Sequence, residues 1–324
     1  MNKRIILFAA LAVSALAGCK EVIVEPVADD GDEVLLNVLV PVAQTRTAGI
    51  SEGDTVSDVQ TFVFDQSGVL ETYSHVTGAN GCTLRCTKGT KDIVVLVNAS
   101  SLSQIGTLAE LLAAKSDLLE DNDSHLCVME GRDTFVIDKS QTVNIKVTRH
   151  VAKVTLEQIT VDFAADHFAE ETFKIKAVYL VNVAGDRKYF SSDASQVWYN
   201  QTLAQDKEHD IIYDSCSDAI LASDTPYTQK HQFYCYENLS VSDVSGLPWS
   251  PRPTRLVIEA TLGNDLMYYP VTISKIKQNT AYSVKVNITR PGSSSPDIPV
   301  DIYDATSVIE VVDWNTGDTI IENI

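Results

Sequence analysis

Positive charge is scarce in this 324-residue chain: 25 Lys and Arg stand against 44 Asp and Glu, a formal net charge of −19. Nucleic acid is excluded as a partner, because phosphate backbones select basic stripes. An acidic balance instead suits an exported surface that resists aggregation. Catalytic signatures are missing too. The chain has no H-E-x-x-H, Walker glycine loop, G-x-S-x-G elbow, calcium loop or dinucleotide fingerprint. Its six histidines, at 75, 125, 150, 167, 209 and 231, are dispersed, and His150 reads as structural. Cys82-x-x-x-Cys86 has the wrong spacing for zinc, with no second pair or nearby histidine to complete a site. No enzyme, cofactor or metal is expected. No Gly/Pro/Ser-rich linker appears between 50 and 245. The length suits two cores, of about 100–170 residues each, joined without a loose connection.

What is present begins at the N-terminus. Lys3 and Arg4 precede one apolar run, Ile5–Ala17, which is too short to cross a membrane and reads as a secretion signal. It ends in Leu16-Ala17-Gly18-Cys19, which resembles the bacterial lipobox. Cys19 is then the acylation site and the new N-terminus, and its acyl chains anchor a protein with no spanning segment. An acidic tether follows, and then Val34–Thr47, whose β-favouring apolar residues are interrupted only by Asn37 before Pro41 and run out to Arg46. This run is too apolar for a wet edge. Two readings stand: an ordinary first strand of a sandwich, or a strand that is cut away after Arg46 to leave a groove.

Further along, period-two patterning dominates. Strands are expected at 58–65, 69–76, 92–98, 135–137, 141–148 and 149–159, with the 92–98 strand central. The one convincing helix is 107–120, opened by the capping box Thr107-x-x-Glu110, with its leucine stripe on one end of a sandwich. Strands resume at 172–183, 232–237, 254–262, 266–274 and 282–290, and Gly263-Asn264 makes 254–274 a hairpin. Residues 185–230 read as loop with short elements, and Trp198, Tyr199, Tyr213 and Tyr227 make that region a candidate binding surface. After the break 291–297, a second β-rich segment runs to Trp314. Within one compact domain it is a last strand; beyond a hinge it can reach a neighbouring molecule. With Cys19 acylated, five cysteines remain, and Cys82 with Cys86 and Cys216 with Cys235 are the candidate disulfides.

The expected organisation is a signal over 1–19, a tether and removable strand over 20–46, a first β domain over 47–148 carrying the short helix, and a second over 149–324. The lipobox, Thr45-Arg46-Thr47, the seam Arg149–Leu156, Phe233–Asn238, Thr254–Glu259, Tyr268–Ile273, Tyr282–Thr289 and the tail Val308–Trp314 occur in one order. In that order they resemble the fimbrillins, the major fimbrial subunits that build type V pili of the Bacteroidales. The resemblance implies an all-β fold of two tandem transthyretin-like sandwiches. It implies export as an outer-membrane lipoprotein and cleavage between Arg46 and Thr47 by an arginine-specific surface protease. It also implies donor-strand polymerisation into a surface fimbrium, with other copies and accessory subunits as partners and a host protein or glycan as the adhesion ligand. The donor then lies within 298–314, with Val308, Glu310, Val312 and Trp314 on one face. Two alternatives remain beside the stalk subunit: a tip or accessory adhesin, and a non-polymerising surface lipoprotein binding glycan through the 198–227 aromatics.

Overall fold

The computed structural model describes residues 32–41, 55–122, 126–163, 168, 170–201, 209–221, 225–244, 248–296, 305–313 and 319–323. Among the described residues, strands account for 57% and two short helices for 5%, so the fold is all-β. The first half contains β1 (Glu33–Leu39), β2 (Asp58–Phe64), β3 (Leu70–Thr77), β4 (Gly81–Thr87) and β5 (Gly89–Val97). Then come α1 (Leu108–Ala113), β6 (Lys115–Asp117), α2 (Leu118–Asp121), β7 (Met129–Ile137), β8 (Gln141–Asn144) and β9 (Thr148–Arg149). A three-stranded sheet, β4-β1-β8, packs on a five-stranded one, β3-β2-β5-β7-β9. Between them lie Val34, Leu36 and Val38 of β1, Cys82, Leu84 and Cys86 of β4, and Val59, Val63, Ile93 and Val95 of the facing sheet. As expected, the apolar β5 sits centrally, and both its faces are covered, because α1 closes the outer one. Leu111 joins Phe62, Phe64, Val94 and Leu96 there.

The second half contains β10 (Val151–Val161), β11 (Phe173–Val181), β12 (Val183–Ala184), β13 (Asp186–Lys188), β14 (Trp198–Tyr199) and β15 (Tyr213–Leu221). It continues with β16 (His231–Tyr236), β17 (Thr254–Leu262), β18 (Asp265–Ile273), β19 (Thr280–Ile288), β20 (Ala305–Asp313) and β21 (Thr319–Asn323). Sheets β16-β10-β19-β20-β21 and β15-β11-β17-β18 face each other over a core that includes Leu156, Phe173, Val178, Phe233, Ile258 and Val284. The expected β17–β18 hairpin turns at Gly263, whose φ of +60° suits glycine. Arg149 ends the first half's five-stranded sheet and Val151 opens the second half's. The chain passes between them at His150, whose N–H donates to the Val128 carbonyl at 2.9 Å.

Three expectations fail here, each for a physical reason. The helix 107–120 forms its capping box on Thr107 and Glu110 but ends at Ala113. Residues 115–117 leave it to pair with β13; Asp117 then caps α2, accepting from Leu119 and Glu120 N–H groups. The leucine stripe is thereby divided: Leu111 covers the outer face of the first five-stranded sheet, not one end of the sandwich, while Leu118 enters the second core. Second, the disulfides are absent and all four cysteines are free and buried. Cys82 and Cys86 share one face of β4, where four residues span about 13 Å, well beyond a disulfide's reach. Cys216 and Cys235, on opposite sheets of the second sandwich, are unbridged, and Cys216 Sγ lies 3.8 Å from His231 Nε2. Burial pushes the Cys216 thiol up to about 11 and that of Cys235 to about 12, so both remain protonated. Third, 213–221 is a full strand, not loop. It is an edge strand whose Ser217 and Asp218 adopt φ of 49° and 59°. They bulge opposite the step from Ile175 to Ala177, which breaks the alternation that pattern reading relies on.

Where the halves meet, β6 of the first pairs antiparallel with β13 of the second. Leu118 N–H donates to the Gly185 carbonyl at 2.9 Å, Tyr199 OH donates to Asp117 at 2.8 Å, and Ser116 bonds to the buried Tyr236 hydroxyl. Asp186 is the densest polar node: Lys115 Nζ reaches it at 2.6 Å, and Gln196 and Val197 N–H groups donate at 2.6 and 2.9 Å. Burial raises its carboxyl, but the bonds from Lys115, Val197, Ser195 and Gln196 outweigh that and hold it at about 2. Its folded value lies below the unfolded one, so this contribution is complete above about pH 4 and fades as pH falls towards 2. Lys115 is partly exposed, which screens the pair. We expect Asp186→Asn to lower stability by about 1–2 kcal/mol near neutrality, with the two urea melts converging by pH 2. A gap that persists unchanged at pH 2 would contradict this account.

Candidate strand-exchange site

β1 fills a slot in the first sandwich. It runs antiparallel to β4, from Glu33 opposite Thr87 to Leu39 opposite Gly81, and parallel to β8, from Leu36 opposite Gln141 to Leu39 opposite Asn144. The apolar run is therefore central, in agreement with its composition. Alternation puts Val34, Leu36, Val38 and Val40 into the core, at no more than 4% exposure each, while Leu35, Asn37 and Leu39 are half-buried on the other face. Both ends of the strand are pinned. Lys88 N–H donates to the Asp32 carbonyl at one end; at the other, Val40 N–H donates to Asn80 and Ile145 N–H to the Leu39 carbonyl. Outward-facing Asn37 donates to Thr142 and accepts from Thr83, both at 3.4 Å.

Gly81 sets the fit of the slot. A Cβ at this position would overlap the Val38 carbonyl oxygen and crowd Leu39, so only glycine lets β4 and β1 approach this closely. Neither sequence pattern nor turn chemistry singled it out: a glycine at a strand start looks like ordinary punctuation.

The tail occupies a different place. β20 pairs antiparallel with β19, from Ala305 opposite Ile288 to Asp313 opposite Thr280, and β21 folds back outside it. Of the expected donor residues, Val308, Glu310 and Val312 stand opposite Lys285, Ser283 and Ala281. Ile309, from the alternate set, is buried in the second core at 2% exposure. The expectation of a tail ending near Trp314 overlooked β21, although Thr319-Ile320-Ile321 carries a short β signal. Slot and tail thus lie in different sandwiches of the same chain. Cys19, Arg46, Thr47 and Trp314 lie outside the described residues.

The four aromatics of 198–227 do not form one surface. Trp198 packs on Trp249 at 5.4 Å, Tyr213 stacks on Tyr179 at 5.9 Å, and Tyr227 stacks on His231. Tyr199 is spent on Asp117.

No protein-family model matches the chain. Solved structures do. A candidate cell adhesion protein from Bacteroides eggerthii DSM 20697 superposes with a TM-score of 0.69 at 18% identity, over 88% of this chain and 97% of its own. A fimbrilin from Porphyromonas gingivalis W83 gives 0.65 at 18% identity, over 88% and 98%. A tip fimbrial protein from Porphyromonas gingivalis, solved with a C-terminal truncation, gives 0.54 at 13% identity, over 87% and 100%. The chain carries the β-sandwich fold of these Bacteroidales fimbrilins and adhesion-class proteins.

Proposed function

We propose that the chain is a structural subunit of an adhesive surface fimbrium. It is exported as an outer-membrane lipoprotein through Cys19, cleaved between Arg46 and Thr47 by an arginine-specific surface protease, and polymerised by strand exchange. The segment 298–314 of one copy then takes the place of β1 in another, with 47–148 as acceptor domain and 149–324 as donor domain. Accessory subunits and a host protein or glycan complete the list of partners.

The observation that supports this most is the position of β1. It is a central strand, the first element among the described residues, held from both sides and joined onward through the segment that carries Arg46. Withdrawing it would bare the ladder edges of β4 and β8 and the apolar floor between them, and strand addition satisfies both. A second observation agrees. β20 and β21 lie outermost in their sheet, so they can leave without opening a central pair. A strand passed from copy to copy is a heterologous contact that does not close, and it builds a filament. The test is treatment of the purified precursor with an arginine-specific protease, read as SDS-resistant ladders on an unboiled gel. A product that is cut at Arg46 and stays monomeric at high concentration would refute the proposal.

A further inference from the structure

A cleft of about 540 Å³ opens where the two sandwiches meet, bounded by β7 and residues 146–148 on one side and by residues 187–192, Glu237 and Gln278 on the other. Its size lies within the range of small-ligand sites. The floor is close-packed: a Cβ on Gly131 would overlap the Lys146 carbonyl oxygen, so β7 and the 145–147 segment touch backbone to backbone.

The charge on the cleft wall is incompletely satisfied. Arg187 is 7% exposed, its Nη1 is 3.7 Å from Glu237 Oε1, too far for a hydrogen bond, and its Nε has no partner. Gln278 Oε1 is likewise buried without a donor. Folded proteins seldom leave such groups unmet, because an unpaired buried group keeps its full desolvation cost. Lys146 lines the same cleft, is exposed, and makes no ion pair among the described residues. On the acidic side, Glu130 is already engaged: it lies 2.7 Å from His150 Nε2 and accepts from the Phe190 N–H. Phe190 holds a φ of 54°, an unusual conformation for a bulky side chain. Backbone strain of this kind is retained where the surroundings fix a side chain in place, and here it sets a half-buried ring on the cleft wall.

We propose that this cleft binds a carboxylate-bearing sugar residue of an acidic glycan, with Arg187 and Lys146 as its counter-charges. Arg187 Nε is itself sealed from the cleft. The terminal Nη groups, held 3.7 Å from Glu237 and short of a hydrogen bond there, are the part that suits a planar oxyanion. The remaining wall supplies the hydroxyls of Thr148, Ser191 and Ser192, which suit a ligand carrying many hydroxyls of its own. Phe190 is the one aromatic residue of the lining; it packs partly against the outer apolar cluster, and its remaining exposed part can meet a sugar ring. An acidic peptide fits less well, because the walls hold no apolar pocket for its other side chains. The site is separate from the β1 slot, so it can be tested on the uncleaved precursor whatever the outcome for polymerisation.

The probes are sodium D-glucuronate and N-acetylneuraminate, with D-glucose and sodium acetate as controls, in saturation-transfer NMR and calorimetric titration of the full-length precursor. Both acidic sugars are expected to bind, and each control at least tenfold more weakly. Arg187→Gln should weaken binding at least tenfold, the loss of one charged hydrogen bond, and Lys146→Gln a few-fold. Lys146 is exposed, so its variant reports even if Arg187→Gln fails to fold. The proposal is overturned if neither acidic sugar shows saturation transfer or if glucose binds as well as glucuronate. It fails equally if acetate matches glucuronate, which would make the cleft a bare oxyanion site, or if Lys146→Gln leaves the affinity unchanged.

Discussion

Under an arginine-specific protease the natural sequence is expected to form SDS-resistant ladders, and replacing Arg46 by alanine is expected to keep the precursor monomeric. The reason lies in how weakly β1 holds itself. Its four inward side chains, Val34, Leu36, Val38 and Val40, contribute roughly 6–12 kcal/mol of apolar burial at about 1.5–3 each. Ordering the backbone over the eight residues from Glu33 to Val40 costs roughly 8–16 kcal/mol, at about 1–2 per residue. These terms nearly cancel, leaving the ladder bonds to β4 and β8 and the covalent tether to decide. A tether holds a strand at an effective concentration in the millimolar range, and cutting it removes that advantage. A donor strand from another copy then competes on equal terms, and as part of a folded subunit it brings further contacts.

Truncation after Ser295 should give the complementary result. Cleavage at Arg46 proceeds, the slot opens, and no ladder forms because 298–314 is missing. The same truncation removes Ile309 from the second core and strips β20 and β21 from β19. A thermal melt must therefore show that the shortened chain is folded before its silence on the gel is interpreted. Ladders from both variants would reject strand exchange through these segments. Ladders from the truncation alone would move the donor elsewhere in the chain.

How far the sequence reached depends on what kind of signal each element carried. β5 and β17 are legible because short, largely β-branched apolar runs mark them, and β17–β18 because Gly263-Asn264 imposes a turn. β1 was legible as a buried strand, since nothing so apolar tolerates an edge. The α1 capping box was also plain, but the end of its helix was not. Propensity favours continuation through Lys115, and only the pairing of 115–117 with β13, contributed from far along the chain, overrides it. The cysteines misled for a related reason. Their number and compartment suggested bridges, whereas on β4 they act as small apolar residues on alternate positions. Arg187 and Gln278 carry no sequence signal at all, because an arginine without its acceptors is visible only once its neighbours are placed. The tail was read by its pattern of faces, but which face its own domain would bury depends on the register with β19, and that register seats Ile309.

The second large effect separates the strand that leaves from the slot that stays. Leu36 is fully buried against the first core, so Leu36→Ala should destabilise the precursor by about 3–5 kcal/mol, seen as a lower urea midpoint. In the proposed exchange, residue 36 departs with β1 after cleavage at Arg46. The same substitution should then leave assembled fibres as resistant to urea as the natural ones, and should hasten assembly by loosening the placeholder. Gly81→Val behaves differently, because residue 81 belongs to β4 and remains. Its side chain would overlap the Val38 carbonyl and crowd Leu39, and relieving that by backbone movement costs about 1–3 kcal/mol. Any incoming strand that takes the register of β1 meets the same obstruction, so Gly81→Val should destabilise precursor and fibre alike. If Leu36→Ala weakens the fibre as much as the precursor, β1 has not left. If Gly81→Val weakens the precursor but spares the fibre, the donor strand does not occupy the groove that β1 vacates. Together the two substitutions locate the groove without a structure of the fibre.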